Sequence, residues 1–130
     1  MSFELTMLLW SAILTLVQMV VAAFGRMLRV GLPTLVGNRE RMPPLTGWAG
    51  RAERAHRNML ESLVVFAVLV LITEITNHNN WLTGLGSELF VGGRLAYAII
   101  YIVGVPWLRT AVWIVSMAGL IVILLQLPLI

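Results

Sequence analysis

Between residues 51 and 61 the chain reads RAERAHRNMLE, and it runs directly into the apolar stretch SLVVFAVLVLI. The guanidinium groups of Arg51, Arg54 and Arg57, the carboxamide of Asn58 and the carboxylate of Glu61 recur at intervals of a helical turn. On a helix that advances about 100° per residue they fall inside an arc of about 120° and form one polar stripe. His56 lies almost opposite that stripe, where it suits a supporting contact with a helix or subunit better than the same ligand. A second set, Arg94, Tyr97 and Tyr101, is spaced i, i+3, i+7 and shares a face in the same way. Arginine makes planar, bidentate bonds to carboxylates. A pocket rich in arginine, with one carboxylate, one carboxamide and two phenols, therefore suits a small anionic zwitterion with several carboxylates and suits a purely apolar ligand poorly. Cysteine is absent, so disulfides and thiolate metal sites are excluded, no metal is expected, and any thiol chemistry must arrive with a ligand.

The elements that position these groups must be membrane helices. Of the 130 residues 59% are hydrophobic and 12% charged, against the roughly 45–50% apolar content of soluble domains. Leu5 to Gly25 and Thr110 to Ile130 each run 21 residues without a charge, and about 20 apolar residues cross a ~30 Å hydrocarbon core. The first run lacks the basic segment and small-residue cleavage pattern of a signal peptide. Four spans are expected, over about 5–30, 50–75, 88–105 and 108–128, in one all-α domain covering residues 1–130 without internal repeats: an integral membrane, antiparallel four-helix bundle. The first connection carries Gly31, Pro33, Gly37, Pro43, Pro44, Gly47 and Gly50 and is the longest; TNHNNWLTGLGS, from Thr76 to Ser87, reads as the second; Gly104 and Pro106 mark a tight third. Seven arginines lie from Arg26 to Arg57 and none in the second loop, so the first and third loops are expected in the cytoplasm, with both termini outside. The basic residues read as a topology signal, and no basic stripe interleaved with aromatics points to nucleic acid.

The second span makes the polar stripe a site. Its uncharged part, Ser62 to Ile72, is 11 residues long and covers only about 16 Å, so the spanning helix must include the charged motif. Ionisable groups at that depth are costly unless they pair or line a wet cavity. With the second and third helices antiparallel, Glu61 lies about 16 Å and Arg94 about 20 Å from the cytoplasmic end, within reach of each other. Tyr101 comes level with Arg54 to Asn58, so the two stripes would enclose one pocket open to the cytoplasm. Lipid-facing grooves between the same helices would admit an apolar partner.

These residues carry a family resemblance. Arg54, Ala55, Asn58 and Glu61 fit the pattern Arg-Ala-x-x-Asn-x-x-Glu, the signature of the MAPEG proteins, membrane-associated proteins in eicosanoid and glutathione metabolism. RMLRV at 26–30, PPLTG at 43–47, Arg94-x-x-Tyr97-x-x-x-Tyr101 and LRT at 108–110 are similar, in the same order, to segments of the leukotriene-C-synthase and prostaglandin-E-synthase branches, and the family as a whole includes microsomal glutathione transferases. The resemblance covers about residues 18–115. It implies a homotrimer with glutathione as cosubstrate, bound between subunits near the cytoplasmic side. On that resemblance Arg54, Arg57, Asn58, Glu61, Arg94, Tyr97 and Tyr101 hold the glutathione peptide, with Arg51 and His56 as supporting residues. Arg26 of an adjacent subunit adds a carboxylate contact, and Arg109 stabilises the glutathione thiolate. Ser62 stands where one branch has tyrosine and Thr110 where another has serine, so the lipophilic substrate is not given.

The expected function is a glutathione-dependent membrane enzyme, a transferase acting on a lipophilic electrophile or a peroxidase acting on lipid hydroperoxides. The alternatives are a non-catalytic lipid-binding helper of the same family and a small four-helix multidrug transporter. A helper has no use for a thiolate stabiliser at Arg109, and a proton-coupled transporter would want its deep acid free of arginine neighbours. The compact chain without an organelle address points to a bacterial inner membrane.

Overall fold

The computed structural model describes residues 1–31 and 45–129. The segment 32–44, which holds most of the expected first loop and the two prolines of PPLTG, lies outside the described residues, as does Ile130. Four α-helices follow one another: α1 (Phe3–Val30), α2 (Gly47–Ile75), α3 (Trp81–Val103) and α4 (Pro106–Leu125). No strand occurs among the described residues. Each helix is long and apolar enough to cross a membrane; even the 20 residues of α4 span about 30 Å. α1 packs on α2 and α3, and α4 packs on α3 and, less extensively, on α2.

α3 begins at Trp81, about two turns before the expected 88, and this corrects the reading of Thr76 to Ser87 as loop. The helix starts where its first amides find partners. The Asn80 side chain accepts from the backbone N–H groups of Leu82 at 2.8 Å and Thr83 at 3.0 Å, while the Asn80 N–H donates to Thr83 Oγ1 at 2.8 Å. That capping box satisfies donors the helix cannot. The residues read as turn punctuation are packing residues instead. A Cβ on Gly86 would lie 2.6 Å from the Gly119 carbonyl oxygen, and one on Gly119 would lie 2.5 Å from the Gly86 carbonyl oxygen. α3 and α4 thus touch backbone to backbone, the close approach that small residues permit in membranes. α2 and α4 also start slightly earlier than expected, α4 with Pro106 in its first turn, where a missing N–H costs no hydrogen bond.

The apolar core joins α2, α3 and α4. Phe66 and Phe90 stack with ring centroids 4.2 Å apart, surrounded by Met59, Val70, Leu120 and Ile123. At the end opposite the arginines, polar groups tie all four helices together. Asn79 donates to Glu4 at 3.0 Å and to Glu74 at 2.9 Å, and Thr83 donates to Glu4 at 2.6 Å. Ser2 bonds Glu74, and Asn80 donates to Gln126 at 3.1 Å. The arginine-bearing end carries the exposed Arg54, Arg57 and Glu61.

Candidate functional site

At the arginine end, the first half of α2 faces the last turns of α3 and the first turn of α4. The turn between α3 and α4 is short because Gly104 adopts φ 94°, a left-handed conformation that glycine takes without strain. Its N–H donates to the Ile100 carbonyl at 2.8 Å. Arg51 Nε donates to the Ile102 carbonyl at 2.9 Å, so this cation caps the negative end of α3. Tyr101 in the last turn of α3 and Arg109 in the first turns of α4 are thereby carried toward each other.

Side chains from three helices meet there. Arg54 Nε donates to the Tyr101 hydroxyl at 3.2 Å. The Arg109 guanidinium carbon lies 4.7 Å from the Tyr101 ring centroid, and that of Arg94 lies 4.3 Å from the Tyr97 centroid. The two phenol rings are 5.4 Å apart. The result is a ladder of guanidinium, phenol, phenol and guanidinium, held by attraction between cations and ring faces.

Two neighbouring cavities open beside this ladder. One, of about 220 Å³, is lined by Asn58, Tyr97, Arg109, Thr110 and Trp113. The other, of about 230 Å³, is lined by Asn58, Glu61, Ser62, Val65, Trp113, Met117 and Leu120. They share Asn58 and Trp113. One is polar and contains a guanidinium; the other holds a carboxylate at its mouth and apolar walls. Of the expected site residues, Asn58, Glu61, Tyr97 and Arg109 come together in these cavities; Tyr101 touches Tyr97 and Arg109 from behind, and Arg54 joins through the Tyr101 hydroxyl.

The remaining expected residues are placed differently. Glu61 and Arg94 do not pair: Glu61 is exposed on α2, whereas Arg94 is 1% exposed and turned inward behind Tyr97. Equal depth did not bring them together because the two helices present these groups to different sides. All three Arg94 side-chain nitrogens are buried without a hydrogen-bond partner among the described residues. Arg57 points outward and bonds Glu53 at 3.0 Å, and Arg26 forms an ion pair with the same carboxylate. His56 lies away from the cavities, its Nδ1 buried without a hydrogen-bond partner among the described residues. Glu53 and Trp113 are the residues that sequence reasoning passed over. Glu53 stands four residues before Arg57, and Trp113 four after Arg109, spacings that put each pair on one helix face.

Arg54, Arg57 and Glu61 share the outward face of α2 with the exposed Val64, Val65, Val68 and Ile72. Charge and apolar surface on one face, at membrane depth, is a face that lipid alone cannot solvate.

A model of the MAPEG family matches residues 4–128, nearly the whole chain. No curated protein and no solved structure matches it.

Proposed function

The chain belongs to the MAPEG family, a membrane family tied to glutathione and eicosanoid metabolism, and from that premise we propose that it is a glutathione-dependent enzyme acting on a lipophilic substrate. The observation that carries this reading is the pair of adjoining cavities, one with the Arg109 guanidinium and one with apolar walls, which share Asn58 and Trp113. A water-soluble thiol and a membrane-soluble electrophile or hydroperoxide would meet at that shared edge.

The donor set fits glutathione. Glutathione carries two carboxylates, an ammonium and a thiol. Arg54 would take a carboxylate through its terminal nitrogens, Glu61 the ammonium, and Asn58 a peptide group. The buried Arg94 guanidinium, which has no hydrogen-bond partner among the described residues, adds positive charge behind Tyr97. The bound peptide supplies a nucleophilic sulfur. A thiol of pKa about 8.5 is only a few per cent ionised at neutral pH. Arg109, permanently charged and in the first turns of α4, holds positive charge where the sulfur becomes an anion, and the partial positive charge of the helix N-terminus adds to it. Val65, Met117, Leu120 and Trp113 would take the apolar substrate.

Each cavity is smaller than the roughly 300–1,000 Å³ of usual small-molecule sites, and the α2 face beside them is open. A homotrimer closes the site: a neighbouring subunit would cover Arg54, Arg57 and Glu61, and Arg26 would reach a ligand carboxylate by exchanging Glu53 for it. The arginine-rich end faces the cytoplasm in this reading, since seven arginines lie between 26 and 57, and a bacterial inner membrane is the proposed location.

The test is calorimetric titration of the purified protein with glutathione, with turnover of an aryl halide and of an organic hydroperoxide measured in parallel. The expected result is saturable binding, turnover of one of the two, and about a tenfold loss of affinity in Arg54→Ala, the size of one charge-assisted hydrogen bond. No binding, no turnover and an indifferent Arg54→Ala would end the proposal. A lipid-binding helper is the second reading, favoured by an apolar groove of about 480 Å³ between α1 and α3 lined by Met7, Trp10, Leu14, Val17, Val91 and Leu95. It predicts a co-purifying fatty acid and no glutathione binding.

A further inference from the structure

Resting on the glutathione reading, we propose that Tyr101 is a positioning residue: the face of its ring aims the Arg109 guanidinium at the sulfur, while its hydroxyl separately anchors Arg54. Among the described residues Arg109 makes no side-chain hydrogen bond and no ion pair; its one partner is the Tyr101 ring, 4.7 Å from the guanidinium carbon to the centroid. A contact with a ring face uses none of the five N–H donors of arginine, so the group is held in place and remains free to face an anion. Bonding to a carboxylate instead would have neutralised it.

The ring itself has little freedom. The Tyr101 hydroxyl accepts from Arg54 Nε at 3.2 Å, its neighbour Tyr97 stands 5.4 Å away, and Tyr97 is backed by the buried Arg94 at 4.3 Å. The Gly104 turn joins the two elements that carry Tyr101 and Arg109. The side chain therefore has two jobs on different atoms, and they can be separated.

Three substitutions separate them. Tyr101→Phe keeps the ring and removes the acceptor for Arg54; Tyr101→Leu removes both; phenylalanines at 101 carrying one, two and three ring fluorines keep the shape while draining the ring face of negative charge. The measurements are the KM for glutathione and the pH dependence of turnover at saturating glutathione, with Arg109→Ala for comparison. Tyr101→Phe is expected to raise KM and leave the midpoint of the pH profile in place. Tyr101→Leu is expected to raise the midpoint by about one unit, which well below the midpoint is about a tenfold loss of thiolate. The fluorinated series is expected to raise it stepwise, and decides the matter if Tyr101→Leu does not fold. If fluorination leaves the midpoint where it is while Arg109→Ala moves it, Arg109 is aimed by something else, the inference is wrong, and the enzyme reading stands. If Arg109→Ala does not move it either, the thiolate role of Arg109 fails and takes this inference with it.

Discussion

Two glycines on one helix give a sharp test of how the site is held. Gly86 and Gly92 both lie within α3, so replacing either with alanine gives the helix the same intrinsic gain, about 0.5–1 kcal/mol. Their surroundings differ. A Cβ at Gly92 meets nothing within 4 Å, whereas one at Gly86 would lie 2.6 Å from the Gly119 carbonyl oxygen and 2.7 Å from Ile123 Cγ1. The isoleucine could rotate; the carbonyl belongs to the α4 backbone and can move only with its helix. Overpacking of this kind costs roughly 1–3 kcal/mol, so Gly86→Ala should be less stable than Gly92→Ala by about that amount. The site should register it too. α4 carries Arg109, and a displacement of about 1 Å at a reacting group can cost up to about 100-fold in rate. The assay is thermal unfolding in detergent micelles, followed by tryptophan fluorescence, together with glutathione-dependent turnover for the two variants. Gly92→Ala should be as stable as the starting protein or slightly more so, and fully active. Equal melting temperatures and equal rates in the two variants would refute the argument that backbone contact between α3 and α4 sets the position of Arg109.

Arg94→Met tests the buried cation. Its guanidinium makes no hydrogen bond among the described residues and rests on the Tyr97 ring alone, a costly state for a cation in the bilayer interior, so an apolar side chain of similar reach should raise the melting temperature while weakening glutathione binding; a destabilised variant would mean that the contact with Tyr97 outweighs the cost of burial. Asn80→Ala removes the capping box and the bond to Gln126. It should lower stability by about 1 kcal/mol without changing glutathione affinity in titration, and a change in affinity would show that the two ends of the bundle are coupled.

α1 and α4 were legible because a largely apolar run of 21 residues without a charge has few alternatives. The inclusion of residues 51–61 in α2 followed from simple length, since the apolar remainder could not cross a bilayer. The start of α3 was not legible. Thr83, Gly84, Gly86 and Ser87 have the composition of a turn, and only the neighbouring backbone of α4 reveals that small residues there serve close packing. Asn58 and Glu61 of the first stripe and Tyr97 of the second line the cavities, whereas Arg109, which joins them there, lies in neither stripe and entered only with the family resemblance. The expected Glu61 and Arg94 pair did not form, and the role of Glu53 as the acceptor for both Arg26 and Arg57 went unseen.

By itself the sequence determined the number of spanning helices, the face of each helix on which its functional groups lie, and the chemistry those groups can perform. These follow from local rules: hydrophobic length, about 100° of turn per residue, and side-chain charge. The tertiary structure decided which way each face points. The rotation of a helix about its own axis is set by what it packs against: α3 and α4 meet at Gly86 and Gly119, with Arg94 turned inward behind Tyr97 and Arg109 over the ring of Tyr101, while α2 leaves Glu61 at the open edge. No spacing along a single helix contains that angle.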